Sequence, residues 1–178
     1  TFKIEAYREG KVKSAVFRTG VLDSDIPIGD TEELNGTYVE FEADATVFKN
    51  YNYRFPFIEK MIWNYCYLNP GLAIYFNGNK FLSKNGLLDL LQNNMDAEPL
   101  YPIIHLKGED IEVAITHARQ YGEEYYSFVN GQHTTQGGTH QNAFRTAYVK
   151  VIRDYLNKNY EAVDIRASIV AAVAVKVM

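Results

Sequence analysis

The sequence has little cysteine and no long apolar run, and each absence excludes a class of protein. Cys66 is the single cysteine among 178 residues, which excludes an internal disulfide and favours a reducing compartment. The richest apolar stretch, residues 169–177, is far too short to span a bilayer and is typical of a buried strand. No secretory signal opens the sequence. It begins in strand-like residues, so we expect a piece of a longer protein.

Positive charge and nucleotide-binding motifs are scarce as well. With 18 Lys and Arg against 22 Asp and Glu, the net charge is −4, so any DNA contact must be a local patch. No phosphate-binding loop of the GxxxxGK[ST] type occurs, nor any other nucleotide fingerprint. The acidic residues of segment 19–35 lack the spacing of a calcium loop. We predict a solvated loop there and no metal site.

Residues 125–153 form the most informative stretch of the sequence. A short aromatic strand ends at the Asn130-Gly131 turn, and a polar loop runs to Gly137-Gly138. Thr139 is the predicted N-cap of an amphipathic helix. Apolar residues at three- and four-residue steps form its predicted buried stripe, namely Ala143, Phe144, Ala147, Tyr148, Val151, Ile152 and Tyr155. We expect Phe144 and Tyr148 to pack against Val173 and Val175 of the last strand.

This stretch contains no acidic residue, although acids outnumber bases in the whole sequence. Its cations are Arg145, Lys150 and Arg153, and the helical repeat places Arg145 on the open side of the helix. A strand, a glycine loop and a basic helix can hold an anion at the helix N-terminus. The same arrangement can also be plain architecture, and the residues alone do not decide between the two readings.

The remaining pattern predicts an α+β protein with a domain boundary near residue 85. The predicted strands are residues 2–7, 11–17, 38–42, 72–76, 80–82, 103–107, 111–117 and 171–177. Besides the helix after Thr139, one helix is predicted to start at Pro56, and two more are predicted over residues 87–92 and 161–169.

The remaining candidate ligands and nucleophiles favour structural roles. His133 and His140 flank the glycine loop, but two histidines make a poor metal site, so no metal is expected. His105 and His117 lie in predicted strands as packing or surface residues. Cys66 lies on an apolar helix face without a nearby cationic partner, which indicates a core residue and not a nucleophile.

The motif SFVNGQHTTQGGTH followed by AFRTA resembles the B subunits of bacterial type II DNA topoisomerases, that is, those of gyrase and of topoisomerase IV. The usual family pattern is F-x-N-N/G, a short loop, E/D/Q-G-G-T-H and G/A-F-R-x-A. The family's order is kept by three further segments, two before this motif and one after it: YREGKVKSAVFRTG, NGTYVEFEAD and DIRASIVAAVAVKV. The resemblance therefore covers essentially the whole sequence. The segment GQHTTQGGTH is more similar to the corresponding segment of topoisomerase IV than to that of gyrase.

The resemblance implies the domain organisation. Residues 1–85 match the C-terminal strands and helix of a GHKL-type ATPase domain. Residues 86–178 match a transducer domain with a ribosomal S5 domain 2-like fold, truncated before the switch-lysine loop. In the family, the catalytic Glu and the magnesium-binding Asn precede the segment that matches Thr1. ATP and magnesium are therefore expected in the parent enzyme, whereas residues 1–178 contain no catalytic residue and are expected to be inactive alone.

The resemblance also implies a few site residues. Gly36, Thr37 and Val39 match the adenine-pocket wall, although Thr37 also suits a strand as a plain β-branched residue. Arg145 matches the arginine that faces the cavity through which the family's dimer passes DNA. Arg153 falls near the same helix face and Lys150 well off it. The alternative for Arg145 is an ordinary exposed helix cation.

The function implied by the resemblance is coupling of ATP-driven dimer closure to DNA strand passage, that is, relaxation or decatenation. The implied partners are DNA, a topoisomerase A subunit in a heterotetramer, and a second B subunit, in the bacterial cytoplasm without a membrane. A rival reading is a non-enzymatic nucleic-acid-binding α+β domain of ribosomal-protein type, which the net acidity opposes. Another is a complete small ATPase, which the missing phosphate and magnesium ligands oppose.

Overall fold

The computed structural model describes residues 1–177, and an antiparallel sheet dominates the first of its two compact units, Thr1–Arg54. The strands are β1 (Phe2–Arg8), β2 (Lys11–Arg18), β3 (Val21–Asp30) and β4 (Gly36–Phe41), in the order β3-β2-β1-β4. The predicted hairpin of β1 and β2 and the predicted strand β4 are confirmed.

The prediction of a loop over residues 19–35 is wrong for β3. This strand lies at the edge of the sheet, where Pro27 is tolerated because its missing N–H can face solvent. The segment is solvated as predicted, since every residue of β3 is exposed, and three of its acids face cations of β2 across the pair. The ion pairs are Arg18 with Asp23 at 3.0 Å, Lys13 with Asp25, and Lys11 with Asp30.

The second unit begins at Phe55 and contains the other helices and strands. Helix α1 (Phe55–Leu68) precedes a hairpin of β5 (Ala73–Phe76) and β6 (Asn79–Leu82), and α2 (Leu87–Asn94) follows. The rest comprises β7 (Ile104–Lys107), β8 (Ile111–His117), β9 (Glu124–Val129), β10 (Gln132–His133), α3 (Thr139–Leu156), α4 (Ala162–Arg166) and β11 (Ile169–Val175). These strands form a sheet in the order β10-β9-β11-β8-β7, in which β11 is parallel to β9 and antiparallel to β8. The α+β class is confirmed.

Strand β11 is the centre of the core because both of its faces are covered. Val170 and Ala172 pack with Leu87, Leu90 and Leu91 of α2 on one face. The opposite face carries Ile169, Ala171 and Val173, and α3 packs there. Phe144 and Tyr148 lie against this cluster with Val175, as the sequence predicts. A strand buried on both faces explains the continuous apolar run in the sequence.

Helix α3 differs from its prediction in two respects. Its N-cap is Gly138 and no side chain caps it, so Thr139 is the first helical residue and not the cap. The buried face of α3 is also narrower than the predicted apolar stripe, because only the side chains that face the sheet and α4 are covered. Phe144, Tyr148, Val149 and Ile152 are buried or half-buried, whereas Ala143, Ala147, Val151 and Tyr155 are exposed.

Two boundaries near the C-terminus also differ from their predictions. The predicted helix 161–169 is only Ala162–Arg166, and the last strand begins at Ile169 instead of residue 171. Ser168, in the left-handed conformation at φ 67°, separates the two elements. Its N–H donates to the Gly122 carbonyl and its hydroxyl to the Gln120 carbonyl, which anchors the start of β11 beside β9.

The segment around residue 85 is closely packed within the second unit. Tyr67 of α1 shares a cluster with Leu87 of α2, and Asp89 accepts hydrogen bonds from Ser83 and Asn85. The boundary near residue 85 concerns the family's domains and stays a prediction. In the described part of the chain, every helix is too short or too polar to cross a membrane.

Candidate functional site

The residues predicted to contact adenine lie on β4, at the edge of the first sheet. Gly36, Thr37 and Val39 pair with Tyr7, Ala6 and Ile4 of β1. Because strand side chains alternate, Thr37 and Val39 share one face and Gly36 lies on the other. All three are exposed. The structure brings Thr37 and Val39 together on one open face of the sheet.

The predicted DNA-facing Arg145 is held by Glu123, which precedes β9. Its Nε and Nη2 donate to the two carboxylate oxygens of Glu123, each at 2.9 Å. Arg166 of α4 donates to the same carboxylate at 3.1 and 3.2 Å. The Arg145 guanidinium also lies over the Tyr125 ring, 5.6 Å from its centroid. One acidic residue thus ties α3, α4 and β9 together.

The Arg145 side chain is 33% exposed, because its guanidinium lies against Glu123 and over the Tyr125 ring. Burial would raise the pKa of Glu123, but hydrogen bonds from Arg145, Tyr125 and Arg166 outweigh it and lower that pKa below its usual value. Burial and the bond to Glu123 raise the pKa of Tyr125, so it remains a neutral donor. The cluster carries two cations and one anion.

The other cations of α3 lie on its far half. Arg153 donates from Nε to the carbonyl of Tyr160 at 2.8 Å, while Lys150 is exposed. Both line a cavity of about 320 Å³ between α3 and α4, together with Asp154 and Arg166. Arg153 and Arg145 are both half-buried on the α4 side of the helix, as their eight-residue spacing predicts.

The loop between β10 and α3 depends on small residues. Gly137 has φ 75°, and a Cβ there would lie 2.8 Å from the side-chain oxygen of Gln141. The hydroxyls of Thr134 and Ser127 of β9 bind each other, and each also donates to the other residue's carbonyl. Nε2 of His140 lies 3.4 Å from the Thr134 hydroxyl. His140 therefore belongs to a hydrogen-bonded loop.

The remaining histidines and the cysteine have structural partners. His105 pairs with Glu112 at 2.8 Å, and the Tyr101 hydroxyl lies 2.6 Å from Nδ1 of His117. Burial lowers the pKa of His133, whose ring lies against Phe128. Cys66 is fully buried, and burial raises the pKa of its thiol. Residues 1–177 contain no group of three or more potential metal-ligating side chains.

Comparison with known proteins identifies the family. A family model described as DNA gyrase B matches residues 77–178, which is more than half of the chain. The chain belongs to the DNA gyrase B family. The predicted membership among the B subunits of type II topoisomerases is confirmed.

Members of the DNA gyrase B family align with nearly the whole chain. The DNA topoisomerase 4 B subunit of Borreliella burgdorferi is 42% identical over 177 residues, which cover 99% of this chain and 29% of that protein. The DNA gyrase B subunit of Helicobacter pylori strain J99 is 31% identical over 191 residues, covering 95% of this chain and 25% of that protein. The chain thus spans less than a third of the length of these relatives.

Solved structures share the fold of the chain. The 43K ATPase domain of Thermus thermophilus gyrase B, in complex with an aminocoumarin, matches with a TM-score of 0.79 and 26% identity. The match covers 99% of this chain and 55% of that one. The ATPase region of Saccharomyces cerevisiae topoisomerase II matches with a TM-score of 0.75 at 19% identity. That match covers 98% of this chain and 47% of the yeast one, and it shows the fold alone.

Proposed function

We propose that the chain is the coupling segment of the B subunit of an ATP-dependent type II DNA topoisomerase. The observation that carries the proposal is the 42% identity to a topoisomerase 4 B subunit over 99% of the chain. In the intact subunit, ATP closes a dimer of B subunits, and this segment transmits the closure to the capture and passage of DNA. The further partner is a topoisomerase A subunit in a heterotetramer, in the bacterial cytoplasm.

We propose that residues 1–85 belong to the GHKL-type ATPase domain and residues 86–178 to the transducer. Gly36, Thr37 and Val39 would then contribute to the wall of the adenine pocket. The residues that hold magnesium and the ATP phosphates belong to other parts of the subunit, including the segment that follows β11. The isolated chain is therefore inactive. Support comes from the open face of β4, where Thr37 and Val39 lie together.

We propose that Arg145 and Arg153 line the DNA cavity with different roles. Glu123 occupies Nε and Nη2 of Arg145, so this guanidinium offers DNA only its remaining N–H groups. Arg153 lines the α3–α4 cavity and carries no carboxylate partner among residues 1–177. Contact with DNA phosphates by such cations is independent of sequence and weakens with salt.

The test is to combine the intact B subunit with its A subunit and follow decatenation and relaxation of DNA. The proposal expects both activities to require ATP and to decline in Arg153→Gln. Lys158→Gln, which removes an exposed cation just beyond α3, is the matched control. Activity without ATP, or no topological activity from the folded complex, would overturn the proposal. Equal activity of Arg153→Gln and wild type would contradict the proposed role of Arg153 in the DNA cavity.

A further inference from the structure

The side chain of Asn130 binds the backbone of Val177, 47 residues later. The Asn130 Oδ1 accepts from the Val177 N–H at 2.8 Å, and its Nδ2 donates to the Val177 carbonyl at 2.9 Å. The Asn130 N–H donates to the Val175 carbonyl at 2.9 Å. Three hydrogen bonds thus join this single residue to the outgoing end of β11.

These bonds continue the sheet beyond the point where β9 turns away. The parallel ladder between β9 and β11 ends at the pair of Val129 and Val175. Asn130 has φ 48°, so the backbone leaves the strand direction there. In a parallel ladder its own carbonyl would accept from the N–H of Val177. The side-chain oxygen of Asn130 accepts from that N–H instead, and its side-chain Nδ2 donates to the Val177 carbonyl.

The opposite side of the same segment is also held. Lys176 donates its N–H to the carbonyl of Asp110, in the turn between β7 and β8, at 2.8 Å. Residues 176–177 therefore lie between two turns, one on each side of β11. The turn that carries Asn130 leads through β10 and the glycine loop directly into α3, the helix that carries Arg145 and Arg153.

We propose that Asn130 is a positioning residue that couples the loop before α3 to the segment leaving β11. Its amide fixes the direction of residues 176–177 relative to α3, so displacement of either element is transmitted to the other. This role rests on the proposed function, since it concerns communication between the DNA-facing helix and the segment that follows β11.

The chain contains a matched control in a second Asn-Gly turn. Asn77 and Gly78 join β5 to β6 with φ 49° and 82°, close to the 48° and 80° of Asn130 and Gly131. The Asn77 side chain makes no hydrogen bond within residues 1–177. Replacement by glycine keeps the left-handed backbone at both sites, because glycine adopts positive φ without a steric cost. Only Asn130→Gly removes the bonds to Val177.

The experiment measures two quantities in the intact subunit, for wild type, Asn130→Gly and Asn77→Gly. The first is amide hydrogen exchange in a peptide containing Val177. We expect exchange there to be about tenfold faster in Asn130→Gly, as loss of local hydrogen bonds allows, and unchanged in Asn77→Gly. The second, measured after the A subunit is added, is the number of DNA passages per ATP hydrolysed, which should be lower in Asn130→Gly and unchanged in Asn77→Gly. Asn130→Asp, which keeps the acceptor but lacks the donor, should lie between wild type and Asn130→Gly.

Unchanged exchange at Val177 in Asn130→Gly would overturn the proposal. Faster exchange with an unchanged number of passages per ATP would also overturn it, because Asn130 would then hold the strand end without coupling anything. That result leaves the proposed function intact. If the wild-type protein shows no ATP-dependent passage, the proposed function fails and the coupling role fails with it. The exchange result then reports on the bonds alone.

Discussion

Arg145 and Glu123 form a two-point ion pair between α3 and the start of β9, with both N···O distances at 2.9 Å. The pair corrects a conclusion that the sequence alone favours. Residues 125–153 contain no acid, yet Glu123 lies just before them and Arg166 shares it from α4. A window free of acids in sequence is therefore not free of acids in space.

The first prediction concerns stability. Arg145→Gln should lower the free energy of unfolding by about 1–2 kcal/mol, and Glu123→Gln by about 2–3 kcal/mol, because the latter leaves two guanidinium groups facing each other. These values are below those of fully buried pairs because the side chains are 18–33% exposed. Arg119→Gln is the control, since Arg119 and Glu98 form an exposed pair at 4.0 Å. Equal, near-zero losses for Arg145→Gln and Arg119→Gln in urea unfolding would contradict this account.

The second prediction is a pH dependence. The pKa of Glu123 is lowered in the folded state, so its ionised form contributes stability above the unfolded value of about 4.5. That contribution is lost as the pH falls through the folded value. The difference in unfolding free energy between wild type and Glu123→Gln should be constant above about pH 5.5 and narrow below pH 4.5. A difference that stays constant down to about pH 3 would show that Glu123 does not titrate as described.

The third prediction concerns the packing of α3. Phe144 is half-buried against the β11 cluster and contacts the rings of Tyr125 and Tyr148. Phe144→Ala should cost about 2–3 kcal/mol, somewhat less than truncation of a fully buried aromatic ring. Tyr155→Ala on the same helix should cost less than about 0.5 kcal/mol, since Tyr155 is 85% exposed. Similar losses in the two variants would mean that the buried face of α3 is misassigned.

The fourth prediction concerns Cys66. Its thiol is fully buried and its pKa is raised, so both access and the thiolate fraction are low. Iodoacetamide should label the folded chain at a rate that follows unfolding. The labelled fraction should increase across the urea transition measured by circular dichroism. Rapid labelling in native buffer would place Cys66 at the surface.

Local patterns were sufficient for much of the fold. The Asn77-Gly78 turn predicts the β5–β6 hairpin, because both residues need positive φ. The apolar run after Ser168 predicts β11, since a strand covered on both faces needs no polar alternation. The helical repeat places Phe144 and Tyr148 correctly. These features depend on residues close together in sequence.

Features set by distant contacts were missed. Strand β3 carries loop-like residues and is a strand because its backbone pairs with β2, where cations also face its acids. The exposed face of α3 carries Val151 and Tyr155, so apolar spacing alone overestimated its buried stripe. Neither Glu123 nor Asn130 has a local signal for its role. The partner of the Asn130 side chain lies 47 residues away, and the arginine partners of Glu123 lie 22 and 43 residues away.

The most direct test of the account is the number of DNA passages per ATP hydrolysed by the intact B subunit together with its A subunit. It compares wild type with Glu123→Gln and with Glu98→Gln, which alters only an exposed pair. At a temperature where all three are folded, the account predicts fewer passages per ATP in Glu123→Gln alone, because its loss loosens α3 from β9 and α4. An unchanged ratio in folded Glu123→Gln would contradict the claim that this segment couples ATP turnover to DNA passage.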